Sequence, residues 1–492
     1  MNILFVYPKI PATFWSFHNA VKFISKKSSE PPLGLITIAA MLPGWWSKKL
    51  IDMNVAELTD EQLQWADYMF ISAMNIQRKS FEEVVARANR LKIPVVAGGP
   101  MVTTEHEEFS GIDHFILNEA EITLPPFLKD LQAGHPKAIY ESTEFPELYE
   151  TPAPLWHLLD IKKYANMAIQ YSRGCPYNCE FCSITLLNGH RPRLKSADQF
   201  LHELDTLYDY GWRSGIFVVD DNFIGNKKQL KNDLLPALID WMNAHQYPFT
   251  FGTEASINLA DDDELMRLMA RAGFDHTFIG IESPNITSLQ ECGKSQNLKH
   301  NMLDSIKKMH AAGLRVSGGF IIGFDNDPMD IFEQQINFIR NSAIVTAMIG
   351  LLNAPTGTRL FERLKKENRI KNVMSGDNMD GSINFIPMMN FQKLSDGYKK
   401  VLDTIYSPKE YYERVKRFLN EYKPQITKGV NFSWSDLIAL FRSFWVLGIV
   451  EKGKLYYWKL FFLSIFHYPR KFPLAIRLAI YGFHFREVTK TV

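Results

Sequence analysis

Short apolar runs alternate with amphipathic stretches along the first two thirds of the chain, in two separate blocks. Up to about residue 140, Ile3–Tyr7, Lys49–Asn54, Asp67–Met74, Ile93–Gly99 and Asp113–Glu119 have the length and bulk of buried strands, while Leu33–Leu42 and Phe81–Leu91 have helical spacing. Buried strands separated by helices predict parallel βαβ crossovers, hence a Rossmann-like α/β domain over residues 1–140 with helices on both faces of the sheet. Residues 141–165 carry Pro146, Pro152 and Pro154 with little periodicity and read as a linker. From 166 to 365 the alternation resumes, with strand candidates Met167–Ser172, Gly215–Asp221, Phe249–Ser256, His276–Ser283, Val316–Phe324 and Ile344–Leu352. Helices such as Ser196–Tyr210, Asp261–Gly273 and Asn297–Gly313 follow them, the last ending on a glycine suited to a C-cap. These six units predict a partial, TIM-type (β/α)6 barrel, whose chemistry would sit at the carboxyl ends of its strands. After residue 366 the alternation stops and a mostly helical C-terminal domain, 366–492, is expected.

Composition narrows this picture. At 492 residues the chain has room for about three domains. With 55 basic and 54 acidic side chains it lacks the basic surplus of a dedicated nucleic-acid binder, so no nucleic-acid partner is expected. The amino terminus has an apolar run without a basic leader, which reads as a first strand and predicts a cytoplasmic protein. The longest dense apolar stretch, Leu455 to Tyr468, is broken by Lys459 and stopped by Pro469, short of the ~20 residues needed to cross a bilayer. The near-neutral total hides one asymmetry. From Asn431 onward, 16 of 62 residues are aromatic, and nine basic residues face three acidic ones, a net charge of +6. This tail fits a packed helical cap over the barrel, or contact with a membrane surface or lipid-like substrate, where aromatic and basic side chains sit at headgroup level.

Three of the four cysteines, Cys175, Cys179 and Cys182, lie within eight positions directly after a strand. So few cysteines in so long a chain do not make a disulfide framework. Their C-x3-C-x2-C spacing lets thiolates wrap a compact inorganic centre, and soft sulfur ligands select zinc or an iron–sulfur cluster. A structural zinc site wants four protein ligands, and the one nearby candidate, His190, stands outside the usual spacings. A cubane on three cysteines leaves one iron open.

The run from Tyr171 to Cys182, with Phe181 before the last cysteine, resembles the radical S-adenosylmethionine (SAM) superfamily. The resemblance implies a [4Fe–4S] cluster on Cys175, Cys179 and Cys182, SAM chelated to the open iron, and reductive cleavage to a 5′-deoxyadenosyl radical. It places Phe181 against the adenine, Asp220 and Asp221 toward the SAM amino group, and Glu254, Ser256, Glu282 and Ser283 at ribose and methionine contacts. Gly319 and Gly323 match the fifth-strand G-x-I-x-G pattern, where glycine lets backbone approach the adenine, although Asn326 stands where the family has a glutamate. Cys292 reads as a bystander thiol.

The amino-terminal domain resembles the cobalamin-binding module of the B12-dependent branch, carried by Pro31–Leu35, Asn54, Ser72, Gly98, Gly99, Thr103 and Glu119 at strand ends, where open α/β sheets bind ligands. The D-x-H-x-x-G motif that supplies a lower histidine ligand in methionine synthase and the mutases is absent from the loop Pro8–Phe17. Taken with the Gly350–Leu360 segment and the aromatic tail, the chain resembles the subgroup containing the hopanoid C-2 methylase and the bacteriochlorophyllide C-8 and C-12 methyltransferases. That resemblance implies a cobalamin-dependent methyltransferase acting on an unactivated carbon of a hydrophobic substrate, such as a polycyclic lipid or tetrapyrrole. It also implies a reductant partner such as flavodoxin or ferredoxin. A B12-dependent cyclase or rearrangement enzyme, and a non-catalytic iron–sulfur scaffold, are the alternatives.

Overall fold

The computed structural model describes residues 1–425 and 434–490, so residues 431–433 and 491–492 of the aromatic tail lie outside the described residues. Six parallel strands, β1 (Asn2–Tyr7), β2 (Ser47–Asp52), β3 (Tyr68–Ser72), β4 (Val95–Gly98), β5 (His114–Ile116) and β6 (Ile139–Tyr140), form the first sheet in the order β2-β1-β3-β4-β5-β6. Strand alternation sends Leu4, Val6, Met69, Ile71 and Val95 to one face, against Phe81 and Val84 of the Arg78–Arg90 helix. Ile3, Phe5, Phe70, Val96 and Ile116 go to the other, against Leu35 of the Leu33–Met41 helix and Phe127 of the Ala120–Gln132 helix. The chain order reverses between β1 and β3, which puts the sheet's ligand crevice beyond their carboxyl ends. Strand β6 escapes a periodicity reading because two residues show no period; its register is set by pairing with Phe115 and Ile116.

The proline-rich stretch after β6 is packed. Three short 3-10 turns bury Leu148, Trp156, Leu159 and Tyr164. Trp156 Nε1 donates to Thr206 Oγ1 (3.1 Å), and Tyr164 OH to Asp52 Oδ2 (2.9 Å), so the stretch lies across both halves of the molecule.

The second sheet is parallel throughout, in the order β7 (Met167–Ile169), β10 (Gly215–Val218), β11 (Thr250–Ala255), β12 (Phe274–Glu282), β13 (Arg315–Ile322) and β14 (Ala347–Leu351). A short antiparallel ribbon, β8 (Ser172–Arg173) with β9 (Arg193–Leu194), flanks the cysteine loop. Its helices start on caps written into the sequence: Ser196 Oγ accepts from Gln199 N, and Asp262 Oδ1 from Leu265 N. Gly313, at φ +91°, closes the Met302–Ala311 helix in the left-handed region, as expected of a C-cap glycine.

Two features set this barrel apart from a filled one. Alternate residues of its strands, among them Gly215, Thr250, Gly252, His276, Ser317 and Met348, line a cavity in place of interlocking side chains. The barrel is also open, and its β14 edge is covered by the helical domain. Tyr398 OH, from the Phe391–Tyr406 helix, donates to Ile349 O at 3.1 Å, Tyr406 OH bonds Ala347 O, and Arg414 Nε donates to Ile344 O at 3.2 Å. The terminal helix, Phe472–Thr489, meets the loop after β1, with Phe17 stacked on His484 at 5.4 Å.

A buried cluster of charges joins the first sheet to the ribbon. Glu119, at the end of β5, accepts from Arg173 Nη1 (2.6 Å) and from Arg193 Nη1 (3.0 Å), and Arg173 also pairs with Glu121 (2.9 Å). Burial alone would raise the Glu121 carboxyl, but the Arg173 guanidinium beside it holds it below the ordinary carboxylate range. Removing one partner of a buried pair strands the other's charge, at a cost of about 3–5 kcal/mol. Arg193→Ala should therefore lower the urea midpoint by an amount equivalent to about 3 kcal/mol. Arg191→Ala, which loses only the exposed pair with Glu147 (3.3 Å, Arg191 side chain 81% exposed), should change stability by less than about 1 kcal/mol. Equal losses in the two variants would show that the buried cluster contributes nothing special.

Candidate cofactor site at the barrel mouth

The loop carrying Cys175, Cys179 and Cys182 leaves β8 at the carboxyl end of the barrel, and all three thiols are free and partly buried. Its shape is held by groups outside it. Gly174 takes φ +97°, where a Cβ would stand 2.7 Å from Arg191 O, so no other residue fits that turn without displacement. Asp221 Oδ2 accepts from Gly174 N (3.0 Å) and Asn188 Nδ2 (2.9 Å); Asp220 accepts from Tyr171 N (2.8 Å) and Ser172 Oγ (2.5 Å). Tyr177 OH accepts from Asn258 Nδ2 (2.8 Å), Glu180 is bound by both Arg363 Nε (2.8 Å) and Nη2 (3.1 Å), and Glu180 N donates to Cys292 O (2.8 Å).

Among the described residues no three His, Cys, Asp or Glu side chains are spaced to share a single metal ion. Thiolates bound to separate corners of a cubane stand farther apart than ligands of one ion, and this loop presents three thiols without a fourth protein ligand. His190 is exposed and completes no tetrahedral set with them. Burial pushes the Cys182 thiol up to about 12, so taking up a metal centre here means expelling a proton.

Around the loop, the expected SAM positions divide by what they touch. Phe181 packs into a small apolar cluster with Cys292, Phe324 and Leu352, its ring 6.3 Å from that of Phe324, which follows Gly323. Gly323, at φ +111°, donates its N–H to Asp327 (2.8 Å), and Gly319 leaves room for Phe278, whose ring a Cβ would meet at 2.9 Å. Glu282 accepts from Lys294 Nζ at 2.7 Å. A side chain at Gly280 would collide with both partners, so the glycine makes space for the ion pair. Burial works against the Lys294 charge, but Glu282 and the nearby Cys179 outweigh it and raise the ammonium above its ordinary range. Ser256 Oγ is bound within a side-chain chain through Asn222 and Asn258, and the buried Ser283 Oγ accepts from Asn285 N. The carboxylates of Asp220 and Asp221, expected to face an ammonium, brace the cysteine loop through their hydrogen bonds and also line the barrel cavity.

Glu254, at the end of β11, lines the cavity; burial, with Asp221 and Glu30 adding, raises its carboxyl to about 8. Glu30, on the segment before Pro31, lines the same space, and burial raises it to about 7. Lys294 and Glu30 come from segments without motif or period and Arg363 from the polar face of the Arg359–Lys366 helix, so only folding shows that they meet the cysteine loop or the cavity.

On the first sheet, Ser72, Gly98, Gly99 and Thr103 meet at one edge. A Cβ on Gly99 (φ +94°) would stand 2.3 Å from Ser72 Oγ, one on Gly98 3.0 Å from Ile116 O, and Thr103 Oγ1 accepts from Asn118 N (3.0 Å). Asn54 braces the loop after β1, accepting from Ile10 N (2.8 Å), and also lines the cavity. Glu119 departs from the expected cobalamin set: its carboxylate is turned away onto Arg173 and Arg193.

Of these positions Glu30, Asn54, Asp220, Asp221 and Glu254 line one cavity of about 1920 Å3. It extends from Asn54, Met74 and Pro100 on the sheet, past Asp221 and Glu254, down the hollow barrel. Its floor is polar: His276 Nε2 and Ser317 Oγ lie 2.8 Å apart, and Arg315 Nη2 stands 3.7 Å from Asp275.

A carboxyl whose folded-state pKa is raised stabilises the fold below the ordinary carboxylate pKa and loses that contribution as pH rises through the folded value. In the cofactor-free chain, Glu254→Gln should thus raise the thermal midpoint relative to wild type near pH 8, with the gain vanishing toward about pH 5. A pH-independent difference would mean that Glu254 carries no such burial penalty.

Three family models match the chain: a B12 binding domain over residues 23–128, the Radical SAM superfamily over 169–339, and a domain of unknown function, DUF4070, over 358–492. An uncharacterized methyltransferase of Synechocystis sp. is 39% identical over 497 residues, covering 100% of this chain and 92% of its own length. The hopanoid C-2 methylase of Rhodopseudomonas palustris is 31% identical over 471 residues, covering 93% of this chain and 88% of its own. Among solved structures, the cobalamin-dependent SAM radical enzyme OxsB, with aqua-cobalamin and SAM bound, shares the fold with a TM-score of 0.61 at 15% identity, over 99% of this chain and 80% of its own. Three thiols on one braced loop at a parallel barrel's mouth, a B12-type sheet facing it and full-length relatives agree, and the chain belongs to the cobalamin-binding radical SAM enzymes, whose cofactors are a [4Fe–4S] cluster, SAM and cobalamin.

Proposed function

We propose that the chain transfers a methyl group to an unactivated carbon of a large, mainly apolar substrate held in the barrel. The observation that carries this reading is the single cavity: residues of the B12-type sheet and of the barrel mouth line one space, and that space continues into a lumen that side chains would otherwise fill. At about 1920 Å3 it exceeds the range of about 300–1,000 Å3 usual for one small ligand, as a site for two organic cofactors and a bulky substrate must. The relatives that span the whole chain are named as methyltransferases, which favours methylation over cyclisation or rearrangement.

In this reading Cys175, Cys179 and Cys182 hold the cluster. Glu254 faces the SAM ammonium, Phe181 and the Gly319–Gly323 backbone flank the adenine, and Ser256, Ser283 and the Glu282–Lys294 pair frame the ribose and methionine end. Ser72, Gly98, Gly99 and Thr103 would hold cobalamin, with Asn54 bracing the loop after β1. When bound, these cofactors would supply radical chemistry at the substrate carbon and the methyl group to be placed there. The chain's part is to fix the distance between two carriers on two domains and to keep water from the reacting carbon. Asp220 and Asp221 serve the first need by anchoring the cysteine loop, and the Phe472–Thr489 helix serves the second through Ile476 and Ile480 on the cavity wall. A low-potential reductant such as flavodoxin or ferredoxin supplies the electrons.

The test is reconstituted protein, cobalamin and SAM with a trideuterated methyl group, incubated under strong reductant with the apolar extract of a strain lacking the gene. A product carrying a trideuteromethyl group is expected; substrate consumption without it would replace methylation by rearrangement, and absence of 5′-deoxyadenosine would leave a scaffold. Cys179→Ala should lose cluster absorbance and SAM cleavage together, and retention of either defeats the cluster assignment. Thr346→Phe, which fills the lumen floor, should leave SAM cleavage within about twofold while cutting methyl transfer at least about tenfold, because the substrate alone reaches so deep.

A further inference from the structure

The aromatic tail divides into two populations. Tyr457 and Phe485 are buried, as a helical cap requires, whereas Phe441 and Trp445 on the Trp434–Trp445 helix and Phe462 and Phe466 on the Lys454–His467 helix are exposed, Phe441 by 67% and Phe466 by 74%. These side chains form one surface. Ring contacts run from Phe441 to Phe444 (6.3 Å), across the helix pair to Trp458 (5.8 Å), then to Phe462 (5.9 Å) and Phe466 (6.5 Å). Val450 and Leu455, both exposed, extend it at the turn between the helices. Single exposed apolar residues are ordinary, but a contiguous aromatic surface on two adjacent helices marks an interaction site.

Its neighbours name the partner. Lys452, Lys454, Lys459 and Arg470 are exposed on the same segment, where the acidic Glu451 is taken up by Arg486 (2.7 Å). Two copies of a surface that carries these exposed basic side chains repel each other when paired, whereas an anionic lipid surface attracts them and receives the aromatic side chains. The helix beneath adds a second argument. On Trp434–Trp445, positions 438, 441 and 445 share one side, while Ala439 and Leu440 on the other line the cavity. One helix therefore separates the exposed aromatic surface from the cavity. Among the described residues no helix is long and apolar enough to cross a membrane, so the contact would be along the surface.

We infer that the Trp434–Trp445 and Lys454–His467 helices dock on an anionic lipid surface and bring the cavity against the layer that holds its apolar substrate. The delivery role rests on the proposed function, but docking is measured without turnover, so the two fail separately. The full chain is mixed with vesicles of phosphatidylcholine plus phosphatidylglycerol, or of phosphatidylcholine alone, and sedimented at low and high salt. Wild type should pellet with the anionic vesicles and be released by salt. Phe441→Asp with Phe466→Asp should bind at least about tenfold more weakly at an unchanged thermal midpoint, and Lys454→Gln with Lys459→Gln should weaken binding by about as much without touching the apolar surface. Wild type left in the supernatant with both vesicles overturns the inference. So does a dimer in solution that the aspartate variant makes monomeric, which would assign the surface to a second copy.

Discussion

The B12-type domain and the radical SAM barrel meet across buried charge, and that charge fixes how the two sit against each other. Glu119 leaves the carboxyl end of β5 and is held by Arg173 and Arg193, which belong to the ribbon on either side of the cysteine loop. A buried carboxylate without its guanidinium is strongly destabilising, so relative movement of sheet and ribbon costs several kcal/mol. The same ribbon carries Gly174 and is braced by Asp220 and Asp221, so the cysteine loop and the B12-type sheet share one mechanical support.

What this support frames is empty space. Glycines and small polar residues on the inner positions of β10 to β14 leave the barrel hollow, and the helical domain covers its open edge by hydrogen-bonding edge carbonyls with Tyr398, Tyr406 and Arg414. Those bonds satisfy backbone groups that an incomplete barrel would otherwise leave bare. The helical domain thus completes the barrel, walls the cavity with one face, and leaves an aromatic face outward.

Much of this was legible along the chain. The twelve strands of the two parallel sheets include eleven that show as short runs rich in apolar residues, because the face each strand turns to its covering helices has to be apolar. The cysteine triad was legible because all three ligands sit on one loop, where spacing in sequence is spacing in space. Glu254 stands near the end of a strand, and Phe181 and Gly323 stand in short motifs, all local features of the sequence. Contacts with partners far along the chain leave no mark in the local sequence. Asp220 and Asp221 look like free carboxylates at a strand end, yet Tyr171, Ser172, Gly174 and Asn188 occupy them. Glu119, expected among the cobalamin contacts, pairs with an arginine 74 positions later.

The amino-acid sequence by itself determined the architecture and the chemistry of the cluster, since hydrophobic period and ligand spacing are local properties that survive unfolding of everything else. Tertiary structure decided which carboxylates are spoken for, which are left to meet a ligand, and that the barrel is hollow. It also decided which of the described tail aromatics are core and which are surface. Composition is the same for a cap and for a docking face. Only packing of the Trp434–Trp445 helix, with one side on the cavity and the other bare, tells the two apart.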